Sequence, residues 1–286
     1  LDFSCAIFDE NGDLVANAPH VPVHLGSMSN SIKIVMAENA GRLNDGDAFM
    51  LNSPYNGGTH LPDVTVVTPV FVDGKPVFWL GSRGHHADIG GRTPGSAPPD
   101  STHIDEEGVL IDNVRLVDRG VLQEVEAEAV LASGKYPCRN IRQNMADLKA
   151  QVAANETGKQ ELLKVVSNYG QDVVTAYMGH VQDNAEESVR RVIDRLSDGQ
   201  YSYLMDHGAR IEVKVSVDRT AREAKIDFTG TAAQHSGNYN APMSICRAVV
   251  LYVFRTMVGA DIPLNEGCLK PLNIVVPDGS MLNPNW

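Results

Sequence analysis

His60-Leu61-Pro62-Asp63-Val64-Thr65-Val66-Val67-Thr68-Pro69-Val70-Phe71-Val72-Asp73-Gly74-Lys75-Pro76-Val77-Phe78-Trp79-Leu80-Gly81-Ser82-Arg83-Gly84-His85-His86-Ala87-Asp88 reads as a β-hairpin with metal-ligand chemistry at its open end. Val64 to Phe71 and Pro76 to Leu80 are rich in β-branched and aromatic residues, and Asp73-Gly74 supplies the tight turn between them. The two strands are of similar length, so their outer ends meet and bring His60 and Asp63 opposite His85. Imidazole nitrogens and a carboxylate oxygen are the donors that suit zinc, manganese or ferrous iron. Taken alone, a His and an Asp three apart in a loop are more often solvated or turn-forming. His85 across the hairpin is what raises the set to a candidate cation site.

His85 and His86 point in opposite directions if the backbone there is extended, so only one of them can face a metal. The other is left to hydrogen-bond nearby or to meet substrate. Asp88 has two readings, an imidazole-orienting carboxylate or the start of an Asx turn into Ile89-Gly90-Gly91. Asp88 and His86 are the candidates for proton transfer, since each lies beside a ligand. His24, in Pro22-Val23-His24-Leu25-Gly26-Ser27, precedes a helix and reads first as a polar core histidine, with acid/base work as the second reading. Gly57-Gly58 and Gly90-Gly91 match neither the P-loop nor the dinucleotide fingerprint, which argues against ATP binding by this chain.

Outward from the hairpin, Phe3 to Phe8 and Leu14 to Ala16 read as strands about an Asn11-Gly12 turn. A helix is expected from Ser27 to Ala40, ending at Gly41, followed by a strand over 47–51 and an irregular loop over 52–58. From Gln143 to Leu196 the period becomes helical, with Val174, Tyr177, Met178, Val181, Ala185, Val189, Ile193 and Leu196 on one stripe and Gly170 as a break. Beyond Gly199 the period returns to two, in Ile211, Val213, Val215 and Val217 and then Ala224, Ile226 and Phe228. Ser244 to Val258 reads as a buried helix. The fold class is therefore α+β. A strand-rich metal-site region occupies 1–142, an antiparallel helical hairpin 143–198, and an α+β region with antiparallel strands and a buried helix 199–286.

With 43% hydrophobic and 21% charged residues the composition is that of a soluble globular protein. A net charge of -12 argues against nucleic-acid and anionic-membrane surfaces, which are usually basic. The scattered Cys5, Cys138, Cys246 and Cys268 read as free thiols, making the cytoplasm the expected location.

Asn52-x-Pro54-Tyr55-x-Gly57-Gly58-Thr59-His60-Leu61-Pro62-Asp63, followed by Gly84-His85-His86-Ala87-Asp88-Ile89-Gly90-Gly91, closely resembles the hydantoinase B family. The family comprises B subunits of ATP-dependent hydantoinases, the C-terminal half of 5-oxoprolinase and the related subunit of acetone carboxylases. Similarity continues through Pro94-Gly95-Ser96, Glu106-Glu107-Gly108-Val109, Asp147-Leu148-x-Ala150-Gln151 and Asp227-Phe228-x-Gly230-Thr231. The resemblance implies metal ligation by His60, Asp63 and His85, and by Asp2 at a matching N-terminal position. It also implies hydrolysis of a cyclic amide, hydantoin or 5-oxoproline, after an A-type ATPase partner has phosphorylated it in a hetero-oligomer. ATP is then used by the partner. Ser53 departs from the aspartate usual in the family, and the family's greater length implies that residues are missing at both ends. The alternatives are an acetone-type carboxylase subunit and a structural subunit whose metal only staples loops.

Overall fold

A computed structural model describes residues 2–18 and 20–286. In chain order the elements are β1 (Phe3–Phe8), β2 (Leu14–Asn17), α1 (Pro22–Glu38), β3 (Ala48–Leu51), β4 (Asp63–Val72), β5 (Lys75–His85), β6 (Val114–Asp118), β7 (Val121–Leu122) and α2 (Glu124–Leu131). There follow α3 (Ile141–Tyr169), α4 (Gln171–Ile193), β8 (Gly199–Leu204), β9 (Arg210–Asp218), β10 (Glu223–Asp227), α5 (Met243–Met257) and β11 (Leu272–Val275). The fold is α+β, as expected. β1 to β7 form one antiparallel sheet in the order β2-β1-β5-β4-β3-β6-β7, and the other four strands form a second sheet, β11-β10-β9-β8.

The hairpin β4–β5 is the middle of the large sheet. Asp73 and Gly74 both take positive φ, 49° and 77°, the backbone of a type I′ turn whose twist matches the strands it joins. From there the pairing passes one β-bulge, between Val70 and Phe71, and then runs to Asp63 opposite His85. β5 continues five residues past Leu80, the expected end. Gly81-Ser82-Arg83-Gly84 has no apolar alternation, but β1 and β4 pair with it on both sides and hold it extended.

Both faces of the sheet are covered, which is why β4 is a nearly continuous apolar run rather than an alternating one. On one face α1 packs Met28, Ile32 and Val35 against Phe8, Phe49, Val67 and Trp79. On the other, α3 contributes Met145 and Leu148 to a cluster with Val64, Val66 and Ile89. Beside it Leu162 joins Val174 and Met178 of α4 against Val70 and Phe78. α3 also docks by polar groups: the Gln151 amide donates to the carbonyls of Val64 and Ser82 at 2.9 and 3.0 Å, and Asn155 donates to that of Val66 at 3.0 Å.

Several boundaries differ from the sequence expectation. α1 begins at Pro22, because a proline at the first helical position is already set to helical φ and lacks only an N–H that would be unpaired anyway. His24 therefore lies within the helix. α2 and its packing of Ala127 and Leu131 into the core were not expected from the strand-rich reading of 1–142. Gly170 separates α3 from α4, as anticipated, and Ala185, Val189 and Ile193 of the predicted stripe pack into the cluster under the second sheet. Tyr177, on the same stripe, is 66% exposed. α5 is buried on one side only: Ala248 and Leu251 are covered, whereas Val249, Tyr252 and Val253 are exposed. Its covered side meets α1 at Gly26, where a Cβ would come within 2.6 Å of Ala248 Cα. Among the described residues no helix is long and apolar enough to cross a membrane.

Candidate metal centre

The loop after β3 is tightly built. Asn52, fully buried, donates to the carbonyls of Leu61 at 2.8 Å and Val109 at 3.0 Å, and accepts from the Ile111 N–H at 2.7 Å. Gly58 passes so close to the Asn52 carbonyl that a Cβ would lie 2.3 Å from it, so no larger residue fits without moving backbone. Gly57, at φ 82°, makes the turn before it. This packing delivers Thr59 and His60 to the end of β4, where Asp63 begins the strand. Ser53 takes part through its backbone carbonyl, which accepts from Asn56 and Gly58.

At the open end of the hairpin the ligand atoms of His60, Asp63 and His85 all lie within 4.8 Å of one another. His60 Nδ1 is 3.0 Å from Asp63 Oδ2, and His85 Nδ1 is 3.0 Å from Asp63 Oδ1. Two ligands at about 2.1 Å from one cation and at near-right or tetrahedral angles sit roughly 3.0–3.4 Å apart, so this donor set has the spacing of a coordination shell. Asp2 adjoins it, with Oδ2 3.9 Å from His85 Nδ1, and its carbonyl accepts from the His85 N–H at 2.9 Å. Thr59 donates its hydroxyl to Asp63 Oδ2 at 2.9 Å. The His60 side chain is half exposed, while that of Asp63 is 2% exposed.

One residue that sequence reasoning set aside belongs here. His24 Nε2 lies 3.2 Å from Asp63 Oδ2 and 3.6 Å from Asp2 Oδ1, and its Nδ1 is bonded to Ser4 Oγ at 3.1 Å. The signal available was Pro22, which marks the helix start that carries His24 over the sheet. Arg83 was not anticipated either. It is fully buried two residues before His85, and donates to Thr65 Oγ1 at 2.7 Å and to the hydroxyls of Ser27 and Ser31. Burial pushes its pKa down to about 10, so it still carries its charge at neutral pH behind Asp63.

Burial alone would raise the Asp63 pKa, but hydrogen bonds from His24, His60 and His85 outweigh it and hold the carboxyl well below the usual carboxylate range. The same hydrogen bond to Asp63, working against burial, raises the His85 pKa. In the ion-free protein Asp63 thus favours the proton on His85, and a cation would compete for the same lone pair.

His86 and Asp88 lie outside this cluster. Strand parity turns His86 to the opposite face, where it is 2% exposed between Asn144 and Gln151. Asn144 Nδ2 is 3.0 Å from His86 Nδ1, and Gln151 Oε1 is 3.2 Å from His86 Nε2. Asn144 Nδ2 can only donate and Gln151 Oε1 can only accept, so the ring is the neutral Nε2–H tautomer with both nitrogens occupied, and burial lowers its pKa. Asp88 opens the Asx turn of the alternative reading: it accepts from Gly90 N at 2.9 Å, Gly95 N at 3.0 Å and Arg139 Nη1 at 2.8 Å. Burial raises its pKa, but these donors outweigh that and hold it low. Their placement gives no support to the expected proton-transfer role, because each is already saturated by structural partners.

A family profile described as Hydantoinase B/oxoprolinase matches residues 1–286. The chain belongs to that family. It is 44% identical over 312 aligned positions to 5-oxoprolinase 1 of Arabidopsis thaliana, covering the whole of this chain and 24% of that protein. The crystal structure of an ATP-dependent caprolactamase from Pseudomonas jessenii superposes with a TM-score of 0.86 at 27% identity, over 99% of this chain and 49% of that one. The nucleotide-free structure of an acetone carboxylase gives the same TM-score at 18% identity, over 99% of this chain and 40% of that one, and shows the shared fold alone. The chain thus spans about a quarter of its 5-oxoprolinase relative and about half of the caprolactamase chain.

Proposed function

We propose that this chain is the metal-bearing portion of an ATP-dependent cyclic-amide hydrolase, and that it completes the opening of a hydantoin- or 5-oxoproline-type ring once an ATPase partner has phosphorylated the carbonyl. His60, Asp63 and His85 hold a divalent cation, zinc or manganese before iron, and Asp2 closes on it as a fourth ligand. The observation that carries this reading is the approach of three donors to within 4.8 Å at one strand end, with His60 half exposed on the open side. With Asp2 as a fourth ligand, a fifth position on the exposed His60 side has to stay open for the site to be catalytic rather than stapling. A cation held there supplies a Lewis acid and a bound water of lowered pKa. The chain's own contribution is to fix the shell: Thr59 and His24 orient the Asp63 carboxylate, and the buried Arg83 balances its charge from behind.

Hydrolysis is favoured over carboxylation because the 5-oxoprolinase and caprolactamase relatives retain 44% and 27% identity, whereas the acetone carboxylase shares only the fold. Elemental analysis of purified wild type and His60→Ala, with circular dichroism as the check on folding, tests the centre. Loss of bound metal from the folded variant is expected. Unchanged stoichiometry refutes the assignment.

A further inference from the structure

A cavity of about 510 Å³ opens beside the candidate metal centre, and Thr59 and His60 form part of its wall. Its size falls among small-molecule sites, which run to roughly 300–1,000 Å³. Tyr55, Glu107 and His235 also line it, and its described lining holds neither lysine nor arginine. Glu107 is the single carboxylate there.

Glu107 is held in place. The buried Ser101 donates its hydroxyl to Glu107 Oε1 at 2.7 Å. Gly91, at φ 88°, lies so close to the Glu107 backbone that a Cβ would come within 2.6 Å of its carbonyl oxygen. Arg92 N donates to the Glu106 carbonyl at 2.7 Å. The segment that follows His85 therefore seats Glu107 as well. The second carboxylate oxygen, Oε2, has no hydrogen-bond partner among the described residues. Its charge is felt at Tyr55, which also lines the cavity and whose pKa is raised by burial and then by Glu107. A fixed carboxylate with one free oxygen, in a concavity without lysine or arginine, is suited to an uncharged N–H donor.

We propose that this cavity receives the ring of the cyclic amide and that Glu107 Oε2 accepts the ring N–H. This rests on the reading of the chain as a cyclic-amide hydrolase. An amide carries its N–H and its carbonyl on adjacent atoms, so a ring whose carbonyl points to the His60 end can offer its nitrogen to a carboxylate that lines the same cavity. An analogue without the N–H leaves that carboxylate desolvated and unpaired, and such losses discriminate more strongly than apolar contacts do.

Glu107→Gln is the sharpest test. The amide it introduces keeps an oxygen for Ser101 and turns an NH₂ group toward the cavity, which replaces an acceptor by a donor at nearly constant volume. Affinities for the uncharged five-membered lactam 2-pyrrolidinone and for its N-methyl analogue are measured by calorimetry on the full enzyme, this chain together with its ATPase portion, alongside metal content. At least a tenfold loss of 2-pyrrolidinone affinity in E107Q is expected, with no further loss for the N-methyl analogue, which already binds weakly to wild type. Equal effects on both ligands, or no effect on either, overturn the proposal. So does a wild type that binds neither. Metal content is read separately: its absence from wild type defeats the proposed centre, while the contrast between the two ligands still decides the role of Glu107.

Discussion

Asn52→Ala removes a side chain that ties together both segments on which the candidate centre depends. The amide bridges the Leu61 carbonyl, on the loop bearing His60, to the Val109 carbonyl and Ile111 N–H, just beyond Glu107. All three groups lose this partner, and no other hydrogen bond to them exists among the described residues. Leaving a buried polar group unpaired costs about 1–3 kcal/mol. Water entering the vacated space restores part of this, so the loss is set at roughly 3–5 kcal/mol, near the low end of the sum for three groups. That is a large share of the roughly 5–15 kcal/mol that holds a domain together. Asn52→Asp should cost as much despite its equal volume, since a carboxylate cannot donate to two carbonyls. Urea unfolding followed by circular dichroism measures the change as a shift in midpoint at unchanged slope, and metal titration of the folded variant reports the centre. A loss below about 1 kcal/mol, with metal affinity unaltered, refutes the idea that Asn52 is the tie.

Gly26→Ala reverses an ordinary expectation. In an open helix interior the exchange would stabilise by about 1 kcal/mol through helix propensity. Here the new methyl would meet Ala248 Cα at 2.6 Å and Ala248 Cβ at 2.8 Å, both on a packed helix. Overpacking of this kind costs about 1–3 kcal/mol, so thermal melting should show a net lowering of the midpoint; a rise would show that α1 and α5 can separate freely. The pH dependence of metal stabilisation follows from His85, whose pKa is raised by Asp63. A raised folded pKa contributes stability to the ion-free chain below the unfolded histidine value, and that contribution is lost as pH rises through the folded value. A ligating imidazole must be unprotonated, so metal affinity moves the opposite way. The melting-temperature increment from added zinc or manganese should therefore grow as pH rises through the His85 transition, and a flat increment would count against ligation by His85.

The hairpin and the meeting of its ends are legible in the sequence because the information is local: β-branched runs of similar length and an Asp-Gly turn bring the two strand ends together, while the pairing of Asp63 with His85 rather than Gly84 depends on the bulge between Val70 and Phe71. The last five residues of β5 are not legible, since Gly81-Ser82-Arg83-Gly84 carries no strand signal of its own and is held by pairing with β1 and β4. His24 is illegible for a related reason. Nothing near it in the chain predicts Asp63, 39 positions on; only the docking of α1 across the sheet brings the two to 3.2 Å. Nearness in sequence misleads just as readily. His86 is the immediate neighbour of His85, yet the pleat sends it to the other face, where Asn144 and Gln151 occupy both its nitrogens.

A single strand end thus divides two adjacent imidazoles between different tasks. His85 faces Asp63, where a cation would compete with the proton for its lone pair. His86 faces α3, where its hydrogen bonds fasten the helix to the hairpin. The parity of β5 makes both possible, and it explains why shifting the register by one residue would damage the centre and the helix docking together. Asn52 meets the same requirement from the other side, because the loop it anchors must hold His60 opposite whichever imidazole the register presents. Ligand chemistry at this site is therefore a property of strand register first and of the individual donors second.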